Sequence, residues 1–282
     1  MSENITVGGQ AVIEGVMMIA KNRVATAVRK KDGSIVLNVD NFNSITTRFR
    51  IAKLPFIRGV VSLFEMMYLG MKTLTWSVNQ QEENGQEMSR LEIGITFAIS
   101  IIASIVMFVL VPYGLTYLIA KQQTLLFNMI DGVFRLLIFV TYLVLIARMS
   151  DVRRIFQYHG AEHKTVNCFE QHKELTPENV LACSRIHPRC GTSLIVFVLG
   201  LSIVMFSLLK SPTWYVNLAI RILLIPVIAG ISYEVVKFSA RQESLFFKTL
   251  IKPGLLTQQL TTREPSREQC EVAIDALNGA LA

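Results

Sequence analysis

The sequence predicts an α-helical polytopic membrane protein with about four transmembrane helices and a small cytoplasmic α+β region at its N-terminus. Three observations lead there. Of 282 residues, 51% are hydrophobic, and they fall into long runs instead of the short amphipathic patterns of a soluble core. Lys and Arg gather in the segments between those runs. The first 91 residues, by contrast, are mixed in polarity.

The chain start does not read as a signal peptide, because no basic stretch precedes an apolar one and Glu14 lies within the first 20 residues. Val24–Val28 and Ser34–Val39 are strand-like runs flanking Lys31-Asp32-Gly33, and Asp-Gly between such runs signals a hairpin. After Pro55, the stretch Ile57–Val78 is apolar but carries Arg58, Glu65 and Lys72. A spanning helix would bury those charges at high cost, so an amphipathic helix lying at the interface is predicted. Gln80–Arg90 is a polar linker.

Ile93–Ala120 holds no charged residue over 28 positions and is the clearest span. The second, Leu125–Ala147, is interrupted by Asp131 and Arg135, whose i,i+4 spacing lets them pair. The third is Thr192–Leu209, and the fourth, Trp214–Val236, contains Arg221. The predicted organisation is an N-terminal region 1–91, a four-helix domain 92–236 that includes a cytoplasmic loop 148–191, and a cytoplasmic tail 237–282. In the tail, Ser266-Arg267-Glu268-Gln269 is a capping-box pattern ahead of a short amphipathic helix.

Charge sets the orientation. Segment 1–91 has eleven Lys/Arg, segment 148–191 has seven and the tail from Lys237 has six, whereas the two short connections hold only Lys121 and Lys210. The positive-inside rule places both termini and the central loop in the cytoplasm of a bacterial-type inner membrane. The net charge of +7 then reads as topology, not as a nucleic-acid surface. The four cysteines (Cys168, Cys183, Cys190, Cys270) follow no disulfide spacing and lie in predicted cytoplasmic segments, where thiols stay reduced.

The central loop contains His159-Gly160-Ala161-Glu162-His163, the H-x-x-E-H order of inverted zinc peptidases. On a helix, His159 and His163 share a face and could bind one metal. Glu162 is placed to act as general base. Glu170 lies eleven residues, about three turns, after His159 and could be a third ligand if the helix continues that far. His187-Pro188-Arg189-Cys190-Gly191 follows at the mouth of the third span. There His187 and Cys190 are candidate ligands, and Arg189 could stabilise developing negative charge. Glu234, near the cytoplasmic end of the fourth span, needs a partner, for which Arg189 or a metal would serve. The segment Gly8–Met18 reads either as a surface turn before a strand or as a flap over the site; its paired Gly8 and Gly9 permit close backbone approach, and Glu14 is a lone acid among apolar residues.

Gly8–Met18, Tyr158–Lys164, His187–Ser193, Tyr233-Glu234 and Leu260–Pro265 together make the chain resemble the YqhQ family, a widespread bacterial family of unknown function described as predicted metal-dependent membrane enzymes. The resemblance covers nearly the whole chain. It implies that Glu14, His159, Glu162, His163, His187, Arg189, Cys190 and Glu234 occupy family motif positions, with Glu170 a further member; it supplies no substrate.

The expected function is a divalent-metal-dependent hydrolase, with zinc the expected ion, acting on a peptide or lipid-linked substrate at the cytoplasmic membrane face. The alternative is a non-catalytic scaffold or assembly factor with a structural metal site closed by His159, His163, His187 and Cys190. The lipid bilayer is the expected partner, with a homo-oligomer or another membrane protein as further options.

Overall fold

The computed structural model describes residues 6–82, 89–122, 124–209, 211, 213–239 and 244–282. Lys210, and residues 83–88 of the predicted linker, lie outside them. The fold is mostly helical, with one N-terminal antiparallel sheet. Strands β1 (Val7–Val12), β2 (Gly15–Ala20), β3 (Arg23–Arg29) and β4 (Ile35–Asn41) pair in the order β1-β2-β3-β4. The β3–β4 turn is the predicted Asp-Gly hairpin. Gly33 takes φ +86°, and the Ser34 amide donates to Asp32 Oδ1 at 2.9 Å. The glycine-bearing segment before it is a second hairpin, β1–β2, reversing at Ile13-Glu14.

Eleven helices follow among the described residues: α1 (Ile45–Arg48), α2 (Ile57–Asn79), α3 (Arg90–Ile105), α4 (Val111–Ile119), α5 (Leu125–Ile146), α6 (Ser150–Glu170), α7 (Pro177–Leu181), α8 (Gly191–Leu208), α9 (Trp214–Ser239), α10 (Leu245–Thr261) and α11 (Arg267–Leu281). A π-helical turn, Val106–Leu110, joins α3 to α4 into one rod. That rod together with α5, α8 and α9 gives four helices long and apolar enough to cross a membrane. Their outward faces carry exposed Ile, Leu, Val and Met side chains, while α8 packs on α5, α9 and α10.

A second body is assembled from both ends of the chain. α11, capped by a Ser266–Gln269 box, lies on β2 and β3, and α6 packs against β1 and α11. Val16, Met18, Ala25, Ala27, Tyr158, Ala161, Cys168, Cys270, Ala273 and Leu277 share one core. Burial pushes the thiols of Cys168 and Cys270 up to about 11 and 12.

α2 links this body to the long helices. Its charged residues are satisfied locally: Arg58 pairs with Glu234 of α9, Glu65 accepts from Ser44 Oγ at 2.7 Å and from the Ile45 amide, and Lys72 meets Asp40 at 2.8 Å. Its far end touches the sheet, where Ser77 Oγ accepts from the Ile13 amide at 3.1 Å. Its near end crosses α9 glycine on glycine. A Cβ on Gly59 would sit 2.7 Å from the Gly230 carbonyl oxygen, and one on Gly230 would sit 2.8 Å from Val60 Cγ2. Valine at either position is therefore expected to part the two helices at a cost of about 1–3 kcal/mol, read as a lower unfolding midpoint in detergent. An unchanged midpoint in both variants would show that this crossing does not hold the two bodies together.

Candidate metal centre

α6 runs unbroken from Ser150 to Glu170, so His159 and His163 sit one turn apart on one face, with ring centroids 4.4 Å apart. Cys190 reaches them from the N-cap of α8; its Sγ lies 3.4 Å from His159 Nε2. One potential ligand atom from each of the three residues falls within 4.8 Å of the other two.

The hydrogen bonds behind the imidazoles define their tautomers. His159 Nδ1 lies 2.9 Å from the Thr261 carbonyl and His163 Nδ1 lies 2.6 Å from the Arg185 carbonyl. A carbonyl oxygen only accepts, so each Nδ1 carries the hydrogen and each Nε2 presents a lone pair. Anchoring of the remote ring N–H by a carbonyl is the arrangement that orients metal-ligating histidines. Burial lowers the pKa of His163, which favours the neutral form a metal requires.

The segments that carry these two carbonyls are themselves held in place through their neighbours. Gln258 of α10 accepts from the His187 amide at 2.9 Å and donates to the His187 carbonyl at 2.8 Å. Lys164 donates to the Leu181 and Cys183 carbonyls at 2.8 and 2.9 Å, and Asn167 donates to those of Ser184 and Ile186 at 2.7 and 3.1 Å. Arg185 donates to the Thr262 carbonyl at 2.7 Å. Gln258, Lys164 and Asn167 are not candidate site residues by sequence, because the burial that makes Gln258 a structural group comes only with the fold.

Glu162 sits beside the cluster, its Oε2 3.5 Å from His163 Nε2, and it is 6% exposed. Burial raises its pKa, against the opposing pull of His159 and His187. Strand β1 lies over it: a Cβ on Gly9 would be 2.8 Å from both Glu162 Cγ and Oε1. Gly9 thus lets the backbone close over this carboxyl.

The other predicted site residues are not among the three grouped donors, and each has its own partner. His187 has both ring nitrogens engaged: Nδ1 accepts from the Arg189 amide at 3.3 Å and Nε2 lies 3.3 Å from Glu170 Oε2. Glu170 also pairs with Arg189. Glu14, at a turn with φ +53°, is engaged by Arg154 and by the Tyr158 hydroxyl at 3.2 Å, not by an imidazole. Glu234 pairs with Arg58 instead of Arg189.

Comparison with known proteins adds the relationship. A family model described as "Protein of unknown function (DUF1385)" matches residues 54–282. The chain is also 34% identical to the uncharacterized protein YqhQ of Bacillus subtilis (strain 168), over 97% of this chain and 92% of that protein. The chain belongs to the YqhQ family. No solved structure matches it. Neither name assigns an activity.

Proposed function

We propose that this YqhQ-family protein is a multi-pass protein of the bacterial cytoplasmic membrane, both termini inside, with a divalent-metal centre formed by His159, His163 and Cys190. On this reading it is a hydrolase acting at the cytoplasmic face, on a peptide or lipid-linked substrate. One observation carries the reading: the half-buried imidazole of His159 and the buried one of His163, each with Nδ1 tied to a backbone carbonyl, aim their Nε2 lone pairs at the thiol of Cys190. Two nitrogens and a sulfur suit zinc, with a fourth position left for water or substrate. A zinc ion in such a set supplies Lewis acidity to water and to a carbonyl or phosphoryl oxygen.

The residues contribute the rest. Glu162 holds its carboxyl at the edge of the cluster, and its raised pKa suits a group that takes a proton and gives it back. Arg189, ion-paired with Glu170 beside His187, can meet a negative charge only by sharing or exchanging that partner. Cys190 caps the first turn of α8, a membrane-length helix; on the proposed topology a centre there suits a substrate presented from the cytoplasmic bilayer surface. The alternative of a closed structural site needs His187 as a fourth ligand, and both of its ring nitrogens are already engaged.

X-ray absorption on zinc-loaded protein tests the choice. One sulfur, two imidazoles and a further light-atom ligand are expected; one sulfur with three imidazoles would establish the closed site and the scaffold reading. Glu162→Gln is expected to keep its zinc while hydrolysis of peptide, ester or lipid-phosphate substrates falls about 10²–10⁴-fold. Unchanged hydrolysis by the zinc-loaded variant would remove Glu162 from the chemistry.

A further inference from the structure

The connection between β4 and α2, with the first turns of α2, combines basic and large apolar residues. From residue 41 to residue 64 it contains no acidic side chain and four basic ones, Arg48, Arg50, Lys53 and Arg58. Arg58 is taken by Glu234. The other three are exposed, and none forms an ion pair among the described residues. Interleaved with them are Phe49, Ile51, Leu54 and Phe56, each more than half exposed and Ile51 the most at 70%. Four large apolar side chains in one short exposed run mark a contact surface.

The fold holds this run rigidly at both ends and at a definite height. At its start, Ser44 Oγ and the Ile45 amide bond to Glu65 of α2. At its end, Arg58 is fastened to Glu234, and the Phe56 carbonyl lies against Gly230 of α9. Helix α9 begins at Trp214, an aromatic suited to the membrane–water boundary. Gly230 is sixteen residues farther along, about 24 Å at the helical rise, and so near the inner edge of a hydrocarbon core about 30 Å thick. Arg48 also lies over the Phe49 ring at 5.6 Å, an aromatic–cation pair of the kind that sits at headgroup depth.

We infer that residues 45–57 form a wedge in the cytoplasmic leaflet, with Phe49, Ile51, Leu54 and Phe56 among the acyl chains and Arg48, Arg50 and Lys53 on the phosphates of anionic lipids. The inference rests on the membrane reading under Proposed function. Lipid is favoured over a protein partner because the run alternates cations and large apolar groups without an acid, the pattern of an interfacial anchor. It moves the interfacial element from the helix 57–78 to the loop before it, because α2 spends its own charges on Glu234, Ser44 and Asp40.

The test uses the full chain in vesicles of phosphatidylcholine with phosphatidylglycerol. Single cysteines at Phe49, Leu54, Ile99 and Lys173 are spin-labelled; the four native thiols are buried. Ile99, exposed on α3, is the reference for a lipid-facing span, and Lys173, in the loop after α6, is the aqueous reference. Oxygen, concentrated in acyl chains, should relax the labels at 49 and 54 more than an aqueous nickel chelate does, as at 99 and opposite to 173. Retention of phosphatidylglycerol over phosphatidylcholine should weaken about fivefold for each charge neutralised in Arg48→Gln, Arg50→Gln and Lys53→Gln. Labels at 49 and 54 that behave like 173, while 99 behaves as lipid-facing, would overturn the wedge and leave the membrane reading standing. An aqueous label at 99 would overturn both.

Discussion

Purified protein reconstituted with zinc is expected to hold about one ion per chain, and His159→Ala, His163→Ala and Cys190→Ser are each expected to lose it. The expectation follows from ligand number: removing one of three protein donors leaves two, too few for a stable site. His187→Ala is expected to behave differently. Its ring is occupied by the Arg189 amide and Glu170, so its loss removes support around the site and not a donor, weakening zinc about 10–100-fold. Glu170→Gln and Glu234→Gln should keep full occupancy, because Arg189 and Arg58 hold those carboxylates. Elemental analysis with a competing chelator reads all of these. A wild-type protein that takes up no zinc ends the hydrolase reading.

Asp131→Leu is expected to cost about 3–5 kcal/mol. Asp131 Oδ2 accepts from Arg221 Nη1 at 2.6 Å, and Arg135 Nε lies 3.1 Å from the same oxygen, near enough to attract it though not aligned to donate. Arg221 is fully enclosed, with its guanidinium 4.9 Å from the centres of the Tyr113 and Phe206 rings. One carboxylate therefore serves two buried guanidiniums, and removing it leaves both without a counter-charge, Arg221 keeping only its bond to Asn128 Oδ1 at 2.6 Å. Arg221→Met should cost less, because Asp131 and Arg135 then remain as a balanced pair. Unfolding midpoints in detergent give the ranking, and Arg221→Met proving the more damaging would show that packing against the rings, not charge balance, dominates this cluster.

Much of this architecture was legible because it depends on runs and periods. The four apolar rods follow from uninterrupted hydrophobic stretches, and the β3–β4 hairpin follows from Asp32-Gly33. The i,i+4 spacing of His159 and His163 needed only a helix. What escaped depends on residues far apart in the chain. β1 and β2 hid in a glycine-containing segment whose strand character comes from pairing with β3 and from α6 and α11 beneath it. Glu234 found Arg58 across 176 positions, a pairing no local pattern announces. The anchors of the imidazoles are the carbonyls of Thr261 and Arg185, and a backbone carbonyl carries no residue-type signal. Glu170 is a different case: helix α6 does reach it, and its carboxylate lies against Arg189 and His187 Nε2, contacts that come from a segment 17 to 19 residues on.

The seating of α11 on β2 and β3 bears on the order in which the molecule comes into being. The sheet leaves the ribosome first, yet Met18, Ala25 and Ala27 are covered by Ala273 and Leu277, which are made last. Until then only α6 is there to cover part of the apolar face of the hairpins, and four long helices are synthesised in between. His159, His163 and Cys190 belong to the middle of the chain, but Thr261, which aims His159, lies just ahead of the final helix. A polypeptide stopped short of residue 261 would carry His159, His163 and Cys190 and lack the carbonyl that holds the first of these imidazoles.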